Sequence, residues 1–348
     1  MKLETIIRKR NINIDVLRCI AVCSVLGVHY FLQTSFYQQP MIGVTMGIKT
    51  IIRTFFMICV PLFLLLTGYL MNRKELSKRY YKGIVQVLGI YLLASIACLL
   101  FNVFVEKESY TFIEYIRGFT TFQFANYAWY VNMYIGLFLL IPFLNMIWNN
   151  RMDQKYHLFL VITFLSLTAL PSILPSSFMP DWWMGGLYPI TYYFIGAYIK
   201  DHDIRLHIVA NLGLLILCVI GFGAFNFYYS HGDVFRASAS VDWQGYQNVI
   251  DTVLVFLLIL HLPLQNLSIF IKYMIYKVSE CSFGLYLVSS IFDHFFYPRI
   301  TTNTWIIPIL VFVCSLILSQ ILLWIYKGIV SLFTYNYMRI QHTTLKDR

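Results

Sequence analysis

Charge is what this sequence has least of. Only 12% of its 348 residues are Asp, Glu, Lys or Arg, about half the roughly 25% usual in a soluble globular chain. Side chains this sparse in charge do not cover a water-facing surface of such size. An ordinary soluble enzyme, a disordered chain and a nucleic-acid-binding domain of the usual kind are therefore excluded. Carboxylates are scarcer than bases, 16 against 26 Lys+Arg, which leaves a formal net charge of +10. The seven cysteines, Cys19, Cys23, Cys59, Cys98, Cys218, Cys281 and Cys314, include no CxxC pair and no Cys/His cluster at metal-ligand spacing. They read as small buried hydrophobes, with no metal and no disulfide expected. There is no GxSxG elbow and no Walker-type phosphate loop. No small-residue cleavage site follows the first apolar run, so no cleavable signal peptide is expected.

Apolar side chains are abundant. Hydrophobic residues make up 59% and aromatics 18%, and the mean hydropathy is +0.68. The reading is an all-α, polytopic integral membrane protein, since about 20 apolar residues cross a hydrocarbon core as helix. About ten such spans are expected, near Asn13–Thr34, Thr50–Met71, Lys82–Phe104, Trp129–Trp148 and Tyr156–Ala169, then Tyr188–Ile199, His207–Tyr229, Ile250–Leu264, Tyr273–Phe292 and Thr304–Phe333. The chain, residues 1–348, reads as one transmembrane domain with no soluble domain and no internal repeat. The polar stretches Glu106–Phe124 and Ser230–Asn248 are long enough only for surface loops or re-entrant helices.

Basic residues set the orientation. With the N-terminus inside, nineteen of the 26 fall in cytoplasmic segments, among them Lys2, Arg8, Lys9, Arg10, Arg151, Lys155 and Arg348. The outer segments hold only Lys49, Arg53, Lys107, Arg117, Arg236 and Arg299, and Arg18 lies inside the first span. Both termini are therefore expected in the cytoplasm.

Charged groups within a bilayer are expensive and default to function. The first span, DVLRCIAVCSVLGVHY, carries Asp15, Arg18 and His29. Eleven residues separate Arg18 from His29, which is about 20° past three helical turns and roughly 16 Å along the axis. Both therefore face one side, and Asp15 is spaced to pair with Arg18. Snorkelling to the headgroups explains Arg18 alone equally well, and His29 also suits a plain interhelical hydrogen bond. A neutral imidazole at that depth is the form a general base needs. Between the second and third spans, NRKELSKRYYKG concentrates five bases. Arg73, Arg79 and Lys82 there suit a phosphate or pyrophosphate site. Topology anchoring explains them as well. Glu280, Ser282 and Tyr286 put polar groups on one face of the ninth span. Trp129 and Tyr130 open the fourth span as an interfacial belt, with Asn132 and Tyr134 suited to line a cavity. Asp293 and His294 read as solvated at an outer helix end.

At these residues the sequence resembles the bacterial membrane acyltransferase-3 family. Its Arg-x10-His spacing is met by Arg18 and His29. CVPLFLLLTGYLMNR looks like the family's second-helix motif, with Thr67 in its Ser position, and KRYYKGI like its Arg-x-x-Arg motif, with Lys82 in place of the second Arg. AWYVNMYIGLFLLIPFL, TYYFIGAYI and SFGLYLVSS look like its later helices, in the right order along nearly the whole chain. Ser289 stands where many members have His, and no hydrolase-like appendage is present.

The resemblance implies a cell-surface glycan O-acetyltransferase of the bacterial cytoplasmic membrane, with acetyl-CoA as donor and a polysaccharide or lipid-linked oligosaccharide as acceptor. Catalysis would fall to His29 as general base, with Arg18 and Asp15. Arg73, Arg79 and Lys82 would hold the CoA phosphates. Trp129, Tyr130, Asn132, Glu280, Ser282 and Tyr286 would meet substrate. A pantetheine arm about 15–20 Å long matches the Arg18–His29 separation. The competing class is an exporter or flippase of such glycans, for which mid-membrane polar residues are also suited. The sequence shows no repeat or matched pair of Gly/Pro-broken spans to favour it.

Overall fold

The computed structural model describes residues 10–149, 154–173, 179–302 and 304–346. Of the bases that argue for orientation, Lys2, Arg8, Lys9, Arg151 and Arg348 lie outside the described residues. The described chain is all-α, without strands; an isolated bridge joins Met41 and His231. Its helices are α1 (Ile12–Gln33), α2 (Gly43–Phe56), α3 (Cys59–Met71), α4 (Lys78–Tyr81), α5 (Ile84–Phe104), α6 (Phe112–Thr120) and α7 (Trp129–Asn149). They continue as α8 (Gln154–Leu167), α9 (Asp181–His202), α10 (Ile208–Tyr229), α11 (Tyr246–His261), α12 (Ile269–Phe296) and α13 (Ile307–Lys346).

Each of the ten expected spans falls on helix, the second on two. Among the described residues, 7 stretches are long and apolar enough to cross a membrane, α1, α2–α3, α4–α5, α7, α10, the stretch Ala239–His261 and the stretch Thr304–Leu332. The other three expected spans are α8, α9 and α12. The last carries Lys272, Lys277, Glu280 and Asp293, which dilute its hydropathy.

The expected second span is two helices rather than one. Pro61 has no N–H to reach back to Met57, so the helix cannot run through. Met57 N–H turns back to Arg53 O at 3.2 Å, and Leu62 N–H restarts the ladder on Ile58 O at 2.8 Å. Pro61 then sits in the first turn of α3, where a missing donor costs nothing. Irregular backbone at membrane depth survives where it faces protein or a cavity rather than lipid, and Cys59 and Val60 face a cavity.

α1 is the hub. Asn11 caps it, accepting from Asn13 N at 3.0 Å and Ile14 N at 3.4 Å, and it packs against α2, α3, α11, α12 and α13. α3 lies against α9 so closely that two glycines are required. A Cβ on Gly68 would stand 1.9 Å from Tyr193 O, and one on Gly196 2.0 Å from Leu65 O. α10 packs on α2 and α11 and turns Val209 and Leu217 outward. The polar stretch 106–124 forms the amphipathic helix α6, with a capping box between Thr111 and Glu114.

Candidate functional site

A cavity of about 400 Å³ runs between α1, α3, α5, α7 and α12. Arg18, Glu280, Gly83 and Gln86 line one end, and His29, Tyr127, Trp129 and Trp243 line the other. The α1 periodicity thus does what its spacing implies: Arg18 and His29 look into one chamber from the same helix.

The Arg18 end is ionic. Asp15, 2% exposed, does not line the cavity. It accepts from Ser279 Oγ at 2.6 Å and from Arg10 Nε at 2.9 Å, and Arg18 Nη1 stands 3.4 Å away. Arg10 is therefore its closer partner, and Arg10 also stacks 4.7 Å over Tyr276. Glu280 lies in the interior of α12. It meets Lys327 Nζ at 2.9 Å, Lys277 Nζ at 3.6 Å and the Tyr276 hydroxyl at 3.0 Å.

At the far end His29, 7% exposed, stacks on Tyr127 with ring centroids 3.6 Å apart. Its Nδ1 lies 3.5 Å from Asp293 Oδ2, and the Tyr127 hydroxyl donates to the same carboxylate at 3.0 Å. Gln33 Nε2 in turn donates to that hydroxyl at 3.3 Å. Asp293 is not solvated, as its place near a helix end suggested. It is 2% exposed, because α12 continues to Phe296 and the segment before α7 folds over it. With Nδ1 turned to Asp293, Nε2 is the ring nitrogen left open to the cavity.

Besides His29 Nδ1, which faces Asp293 without a hydrogen bond, two buried polar atoms on the cavity wall have no hydrogen-bond partner among the described residues: Trp243 Nε1 and the Tyr286 hydroxyl. Buried polar groups are nearly always paired, so a wall carrying two unpaired ones is suited to a ligand that supplies the partners. Trp243 is held in place from both sides. Its ring stacks on Trp129 at 4.5 Å, and its carbonyl accepts from Tyr192 Oη at 2.8 Å. No group of three or more His, Cys, Asp or Glu side chains among the described residues could hold a metal ion.

The remaining expected site residues divide. Tyr130, Tyr134, Ser282 and Tyr286 line the cavity with Trp129 and Glu280, whereas Asn132 is exposed and does not. Arg79 and Lys82 are exposed and make no ion pair among the described residues. Gly83, next to Lys82, is part of the wall, and the elbow is fixed by Tyr80, whose hydroxyl donates to Phe138 O at 2.6 Å. Arg73 is committed elsewhere, to Asp201 at 2.9 Å and to Asn149, and does not line the cavity. His294 binds Ser290 O at 2.8 Å, off the wall. Sequence reasoning missed the cavity role of Cys59, Gln86, Tyr127 and Trp243 and the burial of Asp293 beside His29.

A family model described as an acyltransferase domain matches residues 11–324. No curated protein and no solved structure matches the chain.

Proposed function

The chain belongs to the acyltransferase-3 family, and from that premise we propose that this acyltransferase moves an acetyl group from acetyl-CoA to a hydroxyl of a cell-surface or lipid-linked glycan, in a bacterial cytoplasmic membrane. One observation carries the reading: a single cavity joins Arg18 to His29. Arg18 and Glu280 form the end through which donor enters from the cytoplasm, and Arg79 and Lys82 stand beside it to hold phosphate. The roughly 16 Å rise between Arg18 and His29 suits the reach of a pantetheine arm. The unpaired Tyr286 hydroxyl and Trp243 indole supply donors for the thioester and acceptor oxygens.

His29 takes the acceptor hydroxyl proton on Nε2 as that oxygen attacks the thioester carbonyl. The C–O bond forms, the C–S bond breaks, and His29 returns the proton to the departing sulfur. Free CoA and an O-acyl ester result. Asp293, 3.5 Å from Nδ1, favours the ring proton on that side and so leaves Nε2 as the basic nitrogen.

The test is turnover in nanodiscs with radiolabelled acetyl-CoA and envelope glycan. Wild-type protein should release CoA and label the glycan. His29→Gln retains hydrogen bonding without basicity and should lose about 10²–10⁴-fold in rate. CoA release without glycan label, or a Gln variant of near-normal rate, would overturn the assignment.

A further inference from the structure

Arg53, in α2, is 5% exposed within the apolar stretch Gly43–Met71. An ionised guanidinium in such a place is costly unless it is paired. Among the described residues no carboxylate lies within 4 Å of it. Its side-chain hydrogen bond runs from Nε to the Tyr37 hydroxyl at 3.1 Å. The charge rests on carbon instead, 4.5 Å over the Phe235 ring and 5.8 Å from that of Tyr37. Asp242 feels its field from farther off. Thr50 and Thr54, on the same helix, spend their hydroxyls on Met46 O at 2.8 Å and Thr50 O at 2.9 Å. Nη1 and Nη2 make no hydrogen bond among the described residues, so the fork that binds oxyanions in bidentate fashion is the part without a partner there.

The surroundings are built rather than loose. Phe36, almost wholly buried, touches both Tyr37 and Phe235, with ring centroids at 5.0 and 5.6 Å. The two loops that carry these rings are tied by Met41 N–H to Asp233 O at 2.8 Å and Gly232 N–H to Met41 O at 3.3 Å. Asp242 is followed directly by Trp243, a wall of the cavity at its His29 end. The Phe36 ring also meets Phe31, two positions past His29, at 5.0 Å, so this half-satisfied guanidinium flanked by aromatic faces lies behind the His29 end of the chamber without itself lining it.

We infer that Arg53 is the anion subsite of an acidic acceptor: a saccharide whose carboxylate or phosphate binds Nη1 and Nη2 beside the Tyr37 and Phe235 rings. The inference rests on acceptor reaching the cavity from the His29 end. It makes charge on the glycan a condition of recognition.

The test separates binding from turnover. Saturation-transfer NMR on the full chain in nanodiscs should show contact with glucuronate and glucose 6-phosphate, and none with glucose. Arg53→Gln should weaken both anionic probes roughly ten- to a hundredfold, the loss of a charge-assisted pair. Arg53→Lys, which retains charge without the fork, should fall between, and unchanged thermal unfolding of the Lys variant shows that the fold is intact. Equal binding by wild type and Arg53→Gln, or no binding by wild type, overturns the subsite. So does a phospholipid retained by wild type and lost from Arg53→Gln in native mass spectrometry, which would give the guanidinium to a lipid headgroup. Acetyl-CoA turnover on the same samples is a separate reading: its absence would sink the donor assignment and leave the binding result standing.

Discussion

Asp293 and His29 stand 3.5 Å apart, carboxylate oxygen to Nδ1, although 264 positions separate them in the chain. α12 brings the carboxylate to the ring, and Tyr127 covers both, stacked on the imidazole and hydrogen-bonded to the acid. An acid held in this way orients a base rather than replacing it.

Asp293→Asn should therefore slow turnover while donor affinity holds. The expected loss in kcat is roughly tenfold to a hundredfold, short of the about 10²–10⁴-fold the base itself contributes, with KM for acetyl-CoA within about twofold of wild type. A carboxylate that merely braces α12 would lower thermal stability and leave kcat alone. Steady-state kinetics beside a melting curve decide between them.

How much of this was legible follows from distance along the chain. Arg18 and His29 share a helix, so a period of 3.6 residues was enough to set them on one face. Asp15 and Arg18 are likewise local, and their pairing was visible. Tyr127 and Asp293 reach His29, and Trp243 the same end of the cavity, through separate tertiary contacts, which no local period reports. Asp293 was misplaced because burial at a helix end depends on what folds over it. Arg10 was passed over as a topology signal, yet its Nε lies 2.9 Å from Asp15. Gly68 and Gly196 stood in quoted motifs, but their reason, carbonyls against bare Cα atoms, is a property of the α3–α9 pair.

That pair yields a stability prediction. Gly196→Ala would put a Cβ 2.0 Å from Leu65 O and 2.8 Å from Tyr69 N, both backbone atoms that cannot swing away. Overpacking of this kind costs about 1–3 kcal/mol. Gly213, in α10, has nothing within 4 Å of its Cβ position, so Gly213→Ala should be neutral or slightly stabilising. Thermal unfolding in one detergent compares them; equal melting temperatures would refute the close contact.

Orientation is open to a simple test. The weight of Lys and Arg between spans argues that both termini are cytoplasmic. A reporter active only outside the cytoplasm, fused after Arg348, should be silent, and the same reporter inserted at Lys107 should be active. A signal at both sites would require an odd number of crossings, and a signal at Arg348 with silence at Lys107 would place both termini outside and reverse which end of the cavity meets CoA.

The basic elbow offers the sharpest contrast between neighbours. Arg73 and Arg79 are six residues apart with different commitments: Arg73 is paired with Asp201 at 2.9 Å, whereas Arg79 is exposed beside the Gly83 wall without an ion pair among the described residues. A phosphate anchor grips ground state and transition state alike, so its loss raises KM and leaves kcat. Arg79→Ala should raise KM for acetyl-CoA roughly threefold to tenfold, toward the modest end of a charge-assisted contact because solvent screens the site. The effect should shrink as salt rises. Arg73→Ala instead frees Asp201, which also accepts from Trp148 Nε1 and Asn72 Nδ2, each at 2.8 Å, and should lower stability while KM stays put. If both variants leave KM unchanged in correctly inserted protein, these bases serve topology alone, and the CoA phosphates are held by Arg18 or by another group at the cavity mouth.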